Sequence, residues 1–304
     1  MFIVLPFLTF AQTETNERAT AKGPWVLSLL LRKGLETKDD KDKPAVFSLT
    51  WPKDGKANSY LVNAGLGLNL NHIKKGKSIL DITPSFVFNR NNQIKKEQHN
   101  YKSLVSVNWQ FGKEDTSNHC HQYVLLFPTV QHMWNRIDTS RSFFTTLYGT
   151  WMYKSDNTLF ALNNYRNFGK SGLLYYIGPI VGLEYQDRYN VKNASTKGSI
   201  TRFYWAMDVR LAIKRGNEAN QALGFKRFEA ALSYAQRHEL GSNLPVKEGI
   251  IHLFKTEFSF FPANTDDVSL ALSYNEGQDP IAAIEKQNFW QLAFKLKLTY
   301  LVKK

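Results

Sequence analysis

The stretch NFWQLAFKLKLTYL, from Asn288 to Leu301, decides the fold. Large apolar residues occupy every second position, and polar residues stand between most of them. Successive side chains of a β-strand point to opposite faces, so this period of two predicts a strand with one apolar and one polar face. The apolar face has Trp290, Leu292, Phe294, Leu296, Leu298 and Tyr300, and the polar face has Gln291, Lys295, Lys297 and Thr299.

The same alternation recurs along the 304-residue chain and predicts an all-β antiparallel fold. The candidate strands are 25–32, 44–51, 59–71, 78–89, 101–111, 121–134, 142–153, 173–186, 200–214, 225–238, 249–262, 267–274 and 288–301.

A soluble β-sandwich or barrel also alternates, so the contents of the two faces must decide. The apolar faces end in aromatic residues, as expected at the two boundaries between lipid and water. These tips are Trp51, Tyr60, Trp109, Trp151, Tyr153, Tyr185, Trp290 and Tyr300. After the first ten residues, the longest nearly unbroken apolar stretch is Trp25 to Leu31, which falls far short of the roughly 20 residues of a spanning helix. The pattern therefore favours a transmembrane β-barrel over the soluble alternative.

A single-chain bacterial barrel has an even number of strands, whereas the candidates number thirteen. Adding a weak strand at Thr158–Tyr165 makes about fourteen, which we prefer because it fills a long gap. Omitting 25–32 makes twelve, the alternative. We expect one barrel domain over 25–304.

A last strand that enters the periplasm orients the fourteen-stranded barrel. We expect outward loops at 33–43, 72–77, 112–120, 154–157, 187–199, 239–248 and 275–287. We expect inward turns at 52–58, 90–98, 135–141, 166–172, 215–224 and 263–266.

The first eleven residues, MFIVLPFLTFA, carry no charge and have the apolar core and small-residue end of a secretory signal peptide. The basic leading segment of such peptides is missing. We expect a truncated signal peptide over 1–11 with cleavage after Ala11, and a periplasmic tail over 12–24. The alternative is a buried first strand.

This pattern resembles outer-membrane β-barrel proteins of Gram-negative bacteria over roughly residues 25 to 301. The junction Phe10-Ala11-Gln12-Thr13 is similar to signal-peptide ends of Bacteroidota, and the last strand resembles the C-terminal signal that the barrel-assembly machinery reads. It departs from that signal because Leu301, Val302, Lys303 and Lys304 follow the final aromatic residue. The resemblance implies integral outer-membrane location, contact with outer-membrane lipid and lipopolysaccharide, and other outer-membrane proteins as partners.

The inward faces of the C-terminal half are strongly charged. In an open lumen their cationic excess would favour anions. Alternatively, the charges pair and fill a closed barrel, since a barrel of intermediate size permits either outcome. This lumen charge network consists of Glu184, Asp208, Arg210, Lys214, Arg227, Glu229, Arg237, Lys255, Glu257, Lys295 and Lys297.

Two histidine-containing motifs are weak candidates for a metal site or a catalytic site. His119-Cys120-His121 lacks a third or fourth metal ligand, with Glu114 and Asp115 the only helpers nearby. We therefore expect no metal and no cofactor. His238 and His252 flank a loop that contains Ser242, but Gly-Ser-Asn is no nucleophile elbow.

The basic charge has two readings. The lysines of the predicted hairpin at 74–77 are candidates for lipopolysaccharide phosphates or for a solvated loop. The net charge of +13 is spread over loops and lumen without an aromatic-lined groove, which argues against nucleic acid.

The sequence thus favours a porin-like passive channel for small solutes or ions, with a mildly cationic lumen. The alternative is a closed structural or accessory barrel subunit of a larger outer-membrane complex. An enzyme is not expected.

Overall fold

The computed structural model describes residues 25–32, 45–50, 59–74, 77–92, 98–115, 120–137, 139–155, 161–168, 172–189, 191, 197–214, 226–245, 247–262, 267–279 and 284–301. Its strands are β1 (Trp25–Arg32), β2 (Ala45–Thr50), β3 (Ser59–Lys74), β4 (Lys77–Asn91), β5 (Gln98–Asp115), β6 (Cys120–Asn135), β7 (Arg141–Ser155), β8 (Ala161–Leu162), β9 (Arg166–Asn167), β10 (Leu173–Tyr189), β11 (Gly198–Lys214), β12 (Lys226–Ser242), β13 (Ile250–Phe260), β14 (Val268–Asp279), β15 (Ile284–Leu296) and β16 (Leu298–Leu301).

The strands close into an antiparallel barrel. Twelve strands form the ring in the order β2, β15, β14, β13, β12, β11, β10, β7, β6, β5, β4 and β3, and β3 closes it by pairing with β2. The all-β antiparallel barrel predicted from the alternation is confirmed. Twelve strands, the alternative count, is also confirmed, and the preferred count of fourteen is wrong.

The segment 25–32 is a strand, but it adds no wall position of its own. Strands β1 and β2 lie end to end between β3 and the C-terminal strand. Leu31 lies opposite Leu298 and Ala45 opposite Leu296, so the register continues across the junction. Together they form one composite strand, although residues 33–44 separate them in the chain. Alternation within each segment predicts two strands, since it carries no information about which neighbour each one shares.

The candidate strand Thr158–Tyr165 was the second source of the excess count. Among the described residues near it, 161–168, the strands are the two-residue β8 and β9, which pair with the ends of β7 and β10. The direct β7–β10 ladder stops at Gly149 and Val181. Pro179 lies two residues beyond that point and has no N–H to donate, so the ladder cannot continue there. The connection 156–172 therefore begins and ends at one end of the barrel.

Because the ring has twelve strands and not fourteen, the connections of the N-terminal half lie at the opposite ends of the barrel from those expected. Trp25 and Leu301 lie at the same end of the barrel, which we call the terminal end. Strand direction makes the consecutive pairs β3–β4, β5–β6, β7–β10, β11–β12 and β13–β14 meet at the terminal end. The pairs β2–β3, β4–β5, β6–β7, β10–β11, β12–β13 and β14–β15 meet at the opposite end. The described residues of the expected loops 72–77 and 112–120 therefore lie at the end of the barrel opposite to those of 187–199, not at the same end.

The barrel is apolar outside and polar inside. On β3, for example, Leu66 and Leu68 are exposed whereas Gly65 and Gly67 are buried on the inner face. Leu30, Val87 and Leu104 form a buried apolar cluster on this side of the interior. Gly67 lies opposite Leu30 on β1 and Gly65 opposite Val87 on β4, so the missing side chains leave room for the two to pack above β3.

Among the described residues, no helix is long and apolar enough to cross a membrane. The predicted signal peptide, the periplasmic tail, the loop 33–43 and Trp51 lie outside the described residues.

Candidate functional site

The deepest part of the charge network is a buried ion pair between Glu184 on β10 and Arg237 on β12. The Arg237 Nε lies 2.9 and 3.0 Å from the two Glu184 carboxylate oxygens. The Glu184 side chain is 0% exposed and the Arg237 side chain is 5% exposed. Arg237 also reaches Asp279, with its Nη2 3.2 Å from the Asp279 Oδ1. Strand β11 lies between the two pairing strands, so this contact ties three neighbouring strands together.

Two tyrosines complete this centre. The Tyr148 hydroxyl donates a 2.7 Å hydrogen bond to Glu184. The guanidinium of Arg237 lies 4.8 Å from the centroid of the Tyr204 ring, a cation–π distance. The Tyr148 and Tyr204 rings are also 4.8 Å apart. Tyr148 belongs to a buried apolar cluster with Leu125 and Phe127, so the pair is enclosed by packed side chains.

A second group lies nearer the opposite end. Arg202 on β11 is 1% exposed and donates to Gln186 at 2.9 Å. It also donates to Glu248 through Nε at 3.1 Å and Nη2 at 2.6 Å. Glu248 belongs to the connection 243–249, and Arg188 pairs with the same carboxylate. One acidic partner of these arginines thus comes from a connection between strands and not from the barrel wall.

A third group lies nearer the terminal end. Arg210 pairs with Asp208, which also accepts a 2.9 Å hydrogen bond from Ser233. Glu257 pairs with Lys255 at 2.6 Å and with Lys295. These charged side chains are more accessible than the central pair, and Lys255 is 28% exposed.

Glu229 has partners from the wall and from the connection 156–172. Lys226 lies 2.8 Å from its carboxylate. The Tyr165 hydroxyl donates to it at 2.6 Å. Burial raises the pKa of the Tyr165 hydroxyl to about 12, so this group remains a donor at physiological pH.

Three residues of the predicted lumen charge network, Lys214, Arg227 and Lys297, do not belong to the ion-paired groups described above. A register shift at Ile213 and Lys214 places Lys226 opposite Lys214. The guanidinium of Arg227 lies 5.0 Å from the centre of the Phe260 ring, and that ring lies tilted at 5.3 Å from the ring of the outward-facing Phe228. Lys226 takes the inner position expected for Arg227. Lys214 and Lys297 form no ion pair with any described residue.

Strand alternation missed the partners that come from connections and from uncharged positions. Glu248 and Tyr165 lie outside the regular strands, where a period of two says nothing about direction. Tyr148 carries no charge, so a prediction restricted to charged inner positions excludes it. The register shift that turns Lys226 inward leaves no signal in the hydrophobic pattern.

The interior of the N-terminal half has a different chemistry. On the inner faces of β3 to β7 the described side chains are mostly amides and hydroxyls, with Asp81 and Lys102 as charged residues among them. Both side-chain polar atoms of Asn100 and of Gln131 are buried without a hydrogen-bond partner among the described residues. Polar atoms in this position carry a desolvation cost, whereas most of the charges across the barrel are paired.

The remaining motifs do not come together as a catalytic or metal centre. Cys120 and His121 begin β6 at the terminal end, opposite Asp115 and Glu114. The described residues contain no group of three or more His, Cys, Asp or Glu side chains suited to a metal ion, and His119 is not among them. Ser242 donates a 2.5 Å hydrogen bond to Glu239. His238 and His252 lie on the outer parity of β12 and β13.

Chemically, the arrangement holds charges in place. The acidic groups of the network described above have cationic partners, and the central pair is enclosed by aromatic and aliphatic side chains. Buried ion pairs of this kind stay charged only while both partners remain, because an isolated buried charge carries a large desolvation cost. The site is therefore suited to stiffening and filling the barrel.

Comparison with known proteins identifies no family. No family model matches the chain, and no curated protein matches it. Among solved structures, the outer membrane protein opdK from Pseudomonas aeruginosa aligns over 91% of this chain and 99% of its own, with 8% sequence identity and a TM-score of 0.24. A TM-score this low supports no transfer of function.

Proposed function

We propose that the protein is an integral outer-membrane β-barrel. The support is the outer surface, on which large apolar side chains stay exposed around the ring, including Leu147, Val181, Leu232 and Leu272. A soluble monomer rarely exposes an apolar area that large, because water penalises it. Aromatic residues gather toward both ends of this surface, as the resemblance to outer-membrane proteins implies.

Its activity in this proposal is that of a closed structural or accessory subunit, not of a freely conducting pore. The observation that carries it is the burial of Glu184 and Arg237. Lumen charges of a water-filled channel are hydrated, whereas these two are enclosed by Tyr148, Tyr204 and the Leu125–Phe127 cluster. Other outer-membrane proteins are then the partners to seek, and no enzymatic role is proposed.

Planar-bilayer conductance of the refolded protein under a salt gradient tests this activity. We expect no steady openings from the natural protein. The variant Phe127→Ala/Tyr148→Ala removes inward volume and should conduct. The matched control Val124→Ala/Leu147→Ala removes volume from the outer wall and should stay silent, since both residues are 48% exposed. Heat-resistant migration in detergent gels verifies that each variant is folded.

An anion-selective channel is the second candidate. Lys214 and Lys297 favour it, because they have no acidic partner among the described residues and leave a cationic excess toward the terminal end. Steady openings of the natural protein with an anion-shifted reversal potential would replace the closed barrel with this candidate.

A further inference from the structure

Three arginines lie close together at the opposite end of the barrel, outside the charge network. Arg90 is near the end of β4, Arg136 begins the connection 136–140, and Arg141 begins β7. All three are exposed. We call them the arginine cluster.

Aromatic rings hold the arginine cluster on the outer face. The guanidinium carbons of Arg136 and Arg141 lie 5.5 and 5.8 Å from the same Trp134 ring. Arg90 lies 5.7 Å from the ring of Tyr60. Such cation–π contacts orient a guanidinium while leaving its N–H groups free to donate.

The backbone brings the separate strands together at this point. Arg90 lies opposite His99 on β5, and the backbone N–H of Arg136 donates to the His99 carbonyl at 2.9 Å. His99 therefore lies between two of the arginines. The Asn135 side chain accepts from the backbone N–H of Ile137 at 3.0 Å, which fixes the turn that carries Arg136.

The arginine cluster differs from the interior arginines in its partners. Arg188, Arg202, Arg210 and Arg237 all pair with carboxylates. No member of the cluster forms an ion pair with a described residue, so its positive charge faces outward uncompensated within that part of the chain. Guanidinium groups in such an arrangement match the geometry of phosphate oxygens.

The surface next to the cluster is apolar. Phe86, Trp134 and Phe143 are exposed there, and the Tyr101 ring lies 5.9 Å from Phe86 and 6.0 Å from Trp134. A ligand that satisfies both parts has an anionic head and hydrocarbon chains. Free phosphate would use only the arginines.

We propose that the arginine cluster binds the phosphate group of a phosphorylated membrane glycolipid, whose acyl chains lie against Phe86 and Phe143. The site rests on the proposed membrane location. It also places the opposite end in the leaflet that holds this lipid. Lys74 and Lys77, which belong to the hairpin predicted for such contacts, lie at the terminal end instead.

Binding of lipid A, the phosphorylated anchor of lipopolysaccharide, to the protein in detergent micelles tests the site. The variant Arg136→Gln/Arg141→Gln should weaken binding about tenfold or more, because each cation near an anionic headgroup contributes measurably. The control Lys197→Gln/Lys247→Gln removes two exposed charges at the same end. It should change affinity less than about twofold.

Two further probes identify the ligand. Dephosphorylated lipid A should bind the natural protein as weakly as phosphorylated lipid A binds the arginine variant. Inorganic phosphate should not compete at equal concentration, and equal competition would overturn the lipid assignment in favour of free phosphate. If the lysine control lost as much affinity for lipid A as the arginine variant, binding would depend only on net charge, and the arginine site would be wrong.

Insertion into lipid vesicles separates this inference from the proposed function. If the natural protein fails to insert, the membrane location itself is wrong. If all variants insert and bind lipid A equally, only the arginine site is wrong.

Discussion

Tyr148 links the wall of the barrel to its interior. Its ring covers Gly182 on the neighbouring strand, where an added Cβ would lie 2.5 Å from the Tyr148 Cδ1. Its hydroxyl donates to Glu184. A glycine beside a large aromatic residue thus lets the ring lie flat on the strand and aim its hydroxyl at the buried carboxylate.

The buried pair should behave as a unit. Replacing either partner, as in Glu184→Leu or Arg237→Met, should cost about 3–5 kcal/mol, since the other charge stays buried. The double variant Glu184→Leu/Arg237→Met should cost far less than the sum, because no isolated charge remains between the two positions. Guanidinium unfolding from lipid vesicles measures these free energies.

Lys255→Gln serves as the comparison for that cycle. Lys255 is partly exposed and Glu257 keeps Lys295, so the loss should stay below about 1 kcal/mol. Additive effects of the two buried substitutions would show that Glu184 and Arg237 do not stabilise the barrel as a pair.

The composite first strand is the element that sets the count of twelve. Arg32 and Ala45 are neighbours in register, and the alternation also continues, with Arg32 buried on the inner face and Phe47 exposed on the outer face. The wall therefore needs no residue between them. A single wall position built from two chain segments explains why thirteen candidate strands close as an even ring.

Deleting residues 33–44 and joining Arg32 directly to Ala45 should preserve the barrel, since both neighbouring ladders keep their register. Deleting 33–45 shifts β2 by one residue, which would turn Phe47 inward and Val46 outward. Heat-resistant migration and protease protection after refolding distinguish the two. A barrel that forms equally well in both deletions would contradict the composite strand.

The gap between β7 and β10 is the second special element. Asn163 spans it, since its backbone N–H donates to the Ile177 carbonyl at 2.7 Å and its side chain donates to the Trp151 carbonyl at 2.9 Å. Its φ of 53° is left-handed, which asparagine tolerates better than most residues. Thr150 donates to the Pro179 carbonyl, so side chains replace the interrupted ladder.

Asn163→Ala should loosen this gap, because it removes the bridging amide and places alanine at a left-handed φ. We expect faster amide hydrogen exchange in 150–155 and 173–180, with opening favoured by about 2 kcal/mol. Asn163→Gly keeps the backbone conformation and isolates the contribution of the side chain. Unchanged exchange in both variants would show that Asn163 does not hold the two strands.

The molecule as a whole combines an apolar exterior with an unevenly charged interior. Buried ion pairs lie on the β10–β15 side, and most of the described buried amides without a hydrogen-bond partner lie on the β3–β7 side. Both described termini lie at one end, and the arginine cluster lies at the other. The proposed orientation places the termini in the periplasm.

Cysteine labelling tests that orientation in a Cys120→Ser background. Ile137→Cys lies in an opposite-end connection, and a membrane-impermeant maleimide should label it in intact cells. Phe168→Cys lies in the terminal-end connection 156–172 and should react only after the outer membrane is permeabilised. Both native side chains are well exposed, at 41% and 59%. The reverse pattern would invert the barrel.

Alternation alone was sufficient to predict the antiparallel barrel and the polar character of its interior. Period two follows directly from strand geometry, and an apolar outer face with a polar inner face is visible in each strand separately, as in Trp290 to Tyr300. The charged interior of the C-terminal half follows in the same way. Most strand positions could therefore be predicted without knowing their neighbours.

Pairing decided the rest. Three features depend on the register between neighbouring strands and not on any one strand. Strands β1 and β2 share one wall position, Pro179 ends the β7–β10 ladder, and Lys226 takes the inner position expected for Arg227. The ion pairs depend on the same information, since Glu184 meets Arg237 across an intervening strand and Glu248 enters from a connection. Side-chain periodicity describes one strand at a time, and only the closed barrel determines which charges meet and whether they fill the interior.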